Sequence, residues 1–392
     1  MVEHQVVVVG AGPAGISAAL ALKDAGLRPL VLEQAEQVAA SWRGRYDRLR
    51  LNSCRPLSHL PGRRFPRGTP VFPSRDQVVE HLERHAGEDG IDLRLGTRVD
   101  RIDRGDDDGW VLRTSAGEIG AQQAIVATGY ECEPFVPDWS GRERFGGELL
   151  HASAYRNPWP FEHKRVLVVG PGCSGMEIAH DLAEGGAAKV WLSARTPPNV
   201  ILRQGPGGLP GDILGAACMR LPIRAGDAVA AFGQRMDVGD LTEYGLPVPE
   251  RGVFTQLRHA GRAPSIVDKE VIEAIKGRRF EVVRGVESLD ETGVVLADGA
   301  RIEPDAVIAA TGYLRGLEPL VGHLGVLAER GLPRALGEVP AAPGLRFIGY
   351  VTRPGALGYM GKEARRAAKA IVRELRGPGA APPRTEPATA GA

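Results

Sequence analysis

Cysteine is scarce in this chain of 392 residues: Cys54, Cys132, Cys173 and Cys218 lie far apart, with no CxxC pair and no histidine at zinc-ligand spacing. A disulfide framework is excluded, and no metal site is expected. Long apolar runs are missing as well. No stretch reaches 18 apolar residues, and the N-terminal run Val6 to Val9 stops at Gly10, too short for a secretory h-region or a membrane span. A soluble, cytoplasmic protein without a membrane span is the expectation. The third absence is an excess of charge: 49 Lys and Arg against 48 Asp and Glu leave +1, so no global field favours nucleic acid or an anionic membrane. The partner class left is a small molecule.

With 43% hydrophobic and 25% charged residues, the chain is long enough for two or three domains. In MVEHQVVVVGAGPAG, Gln5 to Val9 reads as a buried strand and Pro13 to Ala25 as a helix, followed by a strand Pro29 to Leu32 that ends at Glu33. The same order returns in KRVLVVGPGCSGME, with a strand Arg165 to Val169, a helix Gly175 to Glu184 and a strand Lys189 to Ser193. Each βαβ unit is followed by short alternating strands with Gly/Asp turns and an apolar strand running into ATGY, at Thr128 to Tyr130 and at Thr311 to Tyr313. The fold class is therefore α/β, with two dinucleotide-binding, Rossmann-like domains, each a parallel sheet plus a small antiparallel crossover layer. Pro197 to Asp212 is Gly/Pro-rich and reads as an irregular excursion. The apolar segment Ile213 to Phe232 reads as a core or subunit-contact helix pair, with a membrane or substrate-gate role as the alternative. Residues 377–392, rich in Pro and Ala, read as a disordered tail.

Each GxGxxG is a phosphate cradle. Gly10 permits the tight turn, Gly12 lets backbone approach a pyrophosphate and Gly15 lets helix pack on strand, with Pro13 and Ala14 opening the helix whose N-terminus faces the phosphates. Glu33 stands where a carboxylate can accept from ribose hydroxyls, its alternative being a solvated strand-end charge. In the second cradle Gly170, Gly172 and Gly175 take the same parts around Cys173 and Ser174, but the position equivalent to Glu33 is Ser193, with Arg195 two further on. An acid would repel a 2′-phosphate; serine and arginine can hold one, so the second site is expected to prefer NADPH. Two nucleotides held at once fit FAD with NADPH best, while the cradles alone also admit two nicotinamide sites or a structural nucleotide.

Between the halves, Phe145, Gly147, His151 and Tyr155 in FGGELLHASAY match FxGxxxHxxxY. With both cradles around it, this pattern resembles the fingerprint of the flavin-containing monooxygenases, and Tyr155 sets it apart from Baeyer–Villiger relatives, which usually carry tryptophan there. The stretches SWRGRYDRLRLNS, HLPGRRFPRGTPVFPSRDQVVEHLE and GRAPSIVDKEVIEAIKGRRFEVVRGVES look like those of the plant YUCCA-type branch. Asn52 departs from that branch, which tends to have histidine there, and agrees with the amine and sulfide oxygenases; Cys173 stands where both commonly show asparagine. The resemblance implies FAD and NADPH as cofactors, and a C4a-(hydro)peroxide of the reduced flavin that oxygenates an amine or sulfide, or decarboxylates an aryl 2-oxo acid. It implies residues 1–155 and 306–376 as the FAD domain and 160–305 as the NADPH domain.

By the same resemblance, Asn52 donates to the oxygen species or holds NADP⁺, with a turn asparagine as the alternative. His151 and Tyr155, four apart, are candidates for proton transfer or for links between domains. Trp42 and Arg43 lie along the flavin, core packing being the alternative for Trp42. The nucleotide edges of the strands carry Thr128, Gly129, Thr311, Gly312 and Tyr313, and a glycine-rich turn before a helix from about Lys362 puts Leu357 and Gly358 near the ring. Competing classes are a disulfide-reductase-like FAD/NAD(P)H enzyme, which would need a redox cysteine pair, and a non-catalytic flavoprotein. A homodimer is a candidate assembly, with substrate and O2 as the small-molecule partners.

The second cradle generates one test. Arg195→Ala should lower the preference for NADPH over NADH by about tenfold, the loss of one charge-assisted contact, as measured by Kd for the two reduced nicotinamides. An unchanged ratio would refute a phosphate role for Arg195.

Overall fold

Four consecutive valines, Val6 to Val9, are buried, as a β-branched run in a parallel strand covered on both faces must be. In the computed structural model, which describes residues 3–260 and 263–376, they belong to a strand His4–Val9 flanked in parallel by Leu30–Leu32 and Gly117–Val126. Asp92–Arg94 extends the sheet beyond Leu30–Leu32. The expected tail 377–392 lies outside the described residues.

Gly117–Val126 serves two layers. Its first half pairs antiparallel with Trp110–Thr114, itself paired with Val99–Arg104, and its last three residues pair in parallel with Leu345–Phe347. The antiparallel layer of the first half is thus continuous with the parallel sheet through one long strand. In the second half it is a separate three-stranded sheet, Val286–Leu289, Val294–Leu296 and Arg301–Ile302.

The second parallel sheet runs Glu281–Val283, Lys189–Ser193, Arg165–Val169, Ala306–Ala309, Glu148–His151. Boundaries at 160 and 305 therefore cut through it. Ala306–Ala309 is fully buried and needs a ladder on both edges, which Arg165–Val169 and Glu148–His151 supply. The second body reaches back to Glu148 and forward to Ala309.

Two further expectations change. The C-terminal helix begins at Ala356, not near Lys362. Its glycines are not a turn: a Cβ on Gly358 would lie 2.4 Å from the Leu57 carbonyl oxygen, and one on Gly361 3.3 Å from Pro61. Three apart, they form a bare stripe that lets the helix lie on the loop Leu57 to Pro61, while Ala364, Ala367, Ala368 and Ile371 pack in the core around the first cradle helix, Pro13–Asp24. The segment Ile213 to Phe232 does form a helix pair, Gly211–Cys218 and Ile223–Asp237, but it is not core: Ile213, Leu214, Phe232 and Met236 are exposed.

One core side chain makes stability depend on pH. His81, on the helix Arg75–Glu88, is 2% exposed, stacked on Phe65 at 4.0 Å and edge-on to His85 at 4.8 Å between ring centroids. Neither ring nitrogen has hydrogen-bonding geometry to a partner. Burial, aided by His85, pushes its pKa down to about 4. The unfolded chain takes up that proton near pH 6.5, so between the two values the folded state binds fewer protons and stability rises with pH. The contribution, at most about 3 kcal/mol, is complete above pH ~6.5 and is lost on acidification toward pH ~4. His81→Phe should flatten this part of a denaturation-against-pH profile; an unchanged slope would remove His81 as its source.

Candidate functional site

The two cradles superpose in design, residue for residue. Gly10 (φ +104°) and Gly170 (φ +116°) adopt backbone that L side chains rarely reach. A Cβ on Gly15 would lie 1.8 Å from the Gly10 oxygen, and one on Gly175 1.8 Å from the Gly170 oxygen, so helix and turn are in contact. Gly12 and Gly172 are the opposite case: a Cβ on either meets nothing within 4 Å. They are the N-caps of the helices Pro13–Asp24 and Cys173–Glu184, and no side chain caps either. The first helix therefore offers the uncapped N–H of Ala14, Pro13 at its first position having none, and the second those of Cys173 and Ser174, to an open space that suits a pyrophosphate. The ATGY elements lie against these turns, since a Cβ on Gly10 would meet the Ala127 oxygen at 2.8 Å and one on Gly170 the Ala310 oxygen at 2.5 Å. Gly129 (φ +83°) and Gly312 (φ +87°) again border open space. The residues present fit two dinucleotides.

Polar groups around the cradles are partly engaged. Glu33 accepts from Ala11 N at 2.7 Å and Ala35 N at 3.0 Å, which leaves about two of its four acceptor positions. Ser193 is buried and donates its only O–H to the Arg284 carbonyl at 2.8 Å, so it cannot also donate to a phosphate. Arg195 is exposed beside Gly285, and neither it nor the exposed Arg284 has an ion-pair partner among the described residues. Arg284, at the end of the adjacent strand, was not visible as a partner of Arg195 in the sequence, because the pairing of 189–193 with 281–283 brings them together. Cys173 accepts from Ile266 N at 3.2 Å, and burial pushes its thiol up to about 11.

Other candidates are placed as follows. The Thr128 hydroxyl meets Tyr350 Oη at 2.8 Å, and Thr311 donates to the Phe135 carbonyl. Tyr313 pairs with Pro134 across a two-stranded strap and accepts from Arg45 at 2.7 Å. Trp42 is partly buried against the first core, the packing alternative, while Arg43 pairs with Glu83. Leu357 is buried and Gly358 packs on Leu57, so both sit in the first helical turn.

His151 and Tyr155 do not face each other along a helix. His151 ends the strand Glu148–His151; its Nδ1 accepts from Ser153 N at 3.0 Å and its Nε2 donates to the Gly312 carbonyl at 3.0 Å. Both nitrogens are satisfied in the neutral ring, and burial lowers the pKa. Tyr155, 1% exposed, donates to Asp181 at 2.7 Å. No hydrogen bond or ring contact joins either to Asn52 among the described residues.

Asn52 leads instead to residues that sequence reading missed. Its Oδ1 accepts from Arg203 Nη2 at 3.1 Å. Arg203, 2% exposed, also pairs with Glu177 on the second cradle helix and with Asp268, and Glu177 accepts from Tyr46. Burial alone would lower the Arg203 pKa; Glu177 and Asp268 outweigh it and hold the guanidinium charged. The available signal was Glu177 itself, a carboxylate amid the buried run Gly175 to His180 that no local residue neutralises. Next to Asn52, Cys54 N donates to buried Asp212 at 2.9 Å, which ties the helix Gly211–Cys218 to this loop.

Comparison with known proteins agrees with this geometry. The family described as "Pyridine nucleotide-disulphide oxidoreductase" matches residues 7–200. The indole-3-pyruvate monooxygenase YUCCA1 of Oryza sativa subsp. japonica is 34% identical over 361 residues, 90% of this chain and 87% of the relative. Among solved structures, a flavin-containing monooxygenase from Stenotrophomonas maltophilia superposes with a TM-score of 0.71 at 23% identity, covering 95% of this chain and 99% of that one. OTEMO, in complex with FAD and NADP, gives a TM-score of 0.71 at 19% identity over 94% and 84%. These two likenesses are of fold.

The glycines separate folding from binding. Gly15→Ala should destabilise the apo-protein by about 1–3 kcal/mol or more, because the new Cβ meets backbone. Gly12→Ala should leave apo-protein melting within about 0.5 kcal/mol and weaken FAD, because the methyl fills the space a pyrophosphate needs. Thermal melting and FAD titration check both; equal melting losses would contradict the assignment.

Proposed function

This chain belongs to the flavin-containing monooxygenase family, in its YUCCA-type branch, and from that premise we propose that it oxidatively decarboxylates an aryl 2-oxo acid. It is an FAD- and NADPH-dependent enzyme that oxygenates a small organic substrate with O2. The balance is one O2, one NADPH and one proton consumed per 2-oxo acid, with CO2, water, NADP⁺ and the acid shortened by one carbon released. The observation that carries the substrate class is identity along nearly the whole chain to indole-3-pyruvate monooxygenases. Amine or sulfide oxygenation is the second reading, favoured by Asn52.

Bound FAD, reduced by NADPH, would supply the activation of O2. The chain's own residues hold and orient. Gly12 and Gly172 leave room for the two pyrophosphates against the helix N-termini, and Glu33 takes the ribose of the first nucleotide. Arg195 and Arg284 take the 2′-phosphate of the second, since Ser193 has spent its proton. Asn52 donates through Nδ2 to the reacting oxygen or to the nicotinamide. His151 and Tyr155 act as links: His151 fastens Glu148–His151 to Gly312, and Tyr155 fastens the fingerprint to Asp181.

The disulfide-reductase alternative is disfavoured by the thiols. Burial pushes Cys54 up to about 11, with Asp212 adding to it, and Cys132 is raised too, so neither is a ready thiolate. Four free cysteines suit the reducing cytoplasm, where we place the protein. No helix among the described residues is long and apolar enough to cross a membrane. A homodimer built on the exposed apolar side of Gly211–Cys218 and Ile223–Asp237 completes the proposal.

The test is NADPH consumption against aryl pyruvates, amines and sulfides, with CO2 and hydrogen peroxide measured together. Aryl pyruvate should stimulate consumption with stoichiometric CO2 and little peroxide. Coupled turnover with an amine or sulfide, and only peroxide with aryl pyruvate, would establish the second reading instead.

A further inference from the structure

We infer that Arg203 is a positioning residue for Asn52, fixing its amide with Oδ1 toward the guanidinium and Nδ2 free to donate, and that Glu177 refers this orientation to the helix of the second cradle. The inference rests on the role given to Asn52 above. A guanidinium has five donors and no acceptor, so Oδ1 is the only amide atom that can face it. The contacts agree: Arg203 Nη2 lies 3.1 Å and Nε 3.4 Å from Asn52 Oδ1. Nδ2 has no hydrogen-bond partner among the described residues.

The guanidinium cannot swing away to release the amide. It is 2% exposed and held by Glu177 through Nη2 and by Asp268, the N-cap of Lys269–Lys276, through Nη1. Glu177 is held in turn by the hydroxyl of buried Tyr46. Asn52 and Tyr46 lie in the loops after the first βαβ unit; Arg203, Glu177 and Asp268 belong to the second body. Asn52 is thereby registered on the element that receives the second nucleotide, because Glu177 stands one helical turn beyond Cys173. A lysine could not reproduce this. Its ammonium is a point charge, whereas the planar fork meets three acceptors in fixed directions.

The experiment is a double-mutant cycle on the full-length, FAD-loaded protein. Arg203→Lys, and Arg203→Met combined with Glu177→Gln so that no buried carboxylate is left unpaired, are each made with Asn52 and in the Asn52→Ala background. Three quantities are read: FAD affinity, Kd for NADP⁺, and the share of consumed NADPH recovered as hydrogen peroxide. With Asn52 present, both changes should weaken NADP⁺ and raise the peroxide share by about threefold or more, with FAD affinity within about twofold. In the Asn52→Ala background they should add nothing further. Equal factors in both backgrounds, no effect with Asn52 present, or loss of FAD in both Arg203 variants would each overturn the positioning role. Kd for NADP⁺ needs no turnover, so a protein that binds both nucleotides and oxygenates nothing would defeat the proposed function while the cycle still reads Arg203.

Discussion

A positive charge enclosed between the two halves is the interaction on which the rest of this structure depends. Taking Arg203 and Glu177 out of water costs several kcal/mol per ion, and removing either partner would leave a bare buried charge at about 3–5 kcal/mol. The pair is held by partners from both halves, Tyr46 donating to Glu177 and Asn52 Oδ1 accepting from Arg203 on one side, and Asp268 pairing with Arg203 on the other. Further links between the halves include the strap of Glu133–Pro134 with Tyr313–Leu314, the hydrogen bond of His151 to Gly312, Arg45 on Tyr313, the part-exposed Arg48 on Asp181 and Glu184, and Cys54 N on Asp212. Hydride transfer between two nucleotides needs their cradles held in fixed relation, and the buried network supplies the specific part of that restraint.

The same supersecondary unit appears twice, and its two copies are tuned by few residues. Glycine geometry is shared down to the 1.8 Å approach that only a missing side chain allows. The difference lies at the strand ends. Glu33, just after the strand Leu30–Leu32, supplies the carboxylate that we propose takes the ribose. Just beyond the paired strands of the second half, Arg195 and Arg284 have no ion-pair partner among the described residues, and theirs is the charge we propose takes the 2′-phosphate. One chain can thus hold an electron donor and an acceptor without confusing them.

The cradles were legible in the sequence because their determinants are local: valines that must be buried, glycines at fixed offsets, and ATGY at the ends of apolar strands. The strand Lys189–Ser193 lies where its residues predicted it. What sequence reading missed depends on long-range contact. Arg203 meets Asn52 across 151 positions and Glu177 across 26, and no periodicity records such a pair. The C-terminal helix was read too short for a different reason: glycine is ambiguous between a turn and a close approach, and only the Leu57 carbonyl beneath Gly358 decides. His151 and Tyr155 were spaced for a helix face, but a parallel ladder with Ala306–Ala309 drew the first of them into a strand.

The most direct test of two cradles joined into one working cleft is anaerobic mixing of the FAD-loaded protein with NADPH, followed by visible absorbance. The expected result is one FAD per chain, bleached in a single phase whose rate saturates with NADPH. A protein that binds both nucleotides and keeps its flavin oxidised would contradict the account, since the halves would then not hold donor and acceptor within reach of each other.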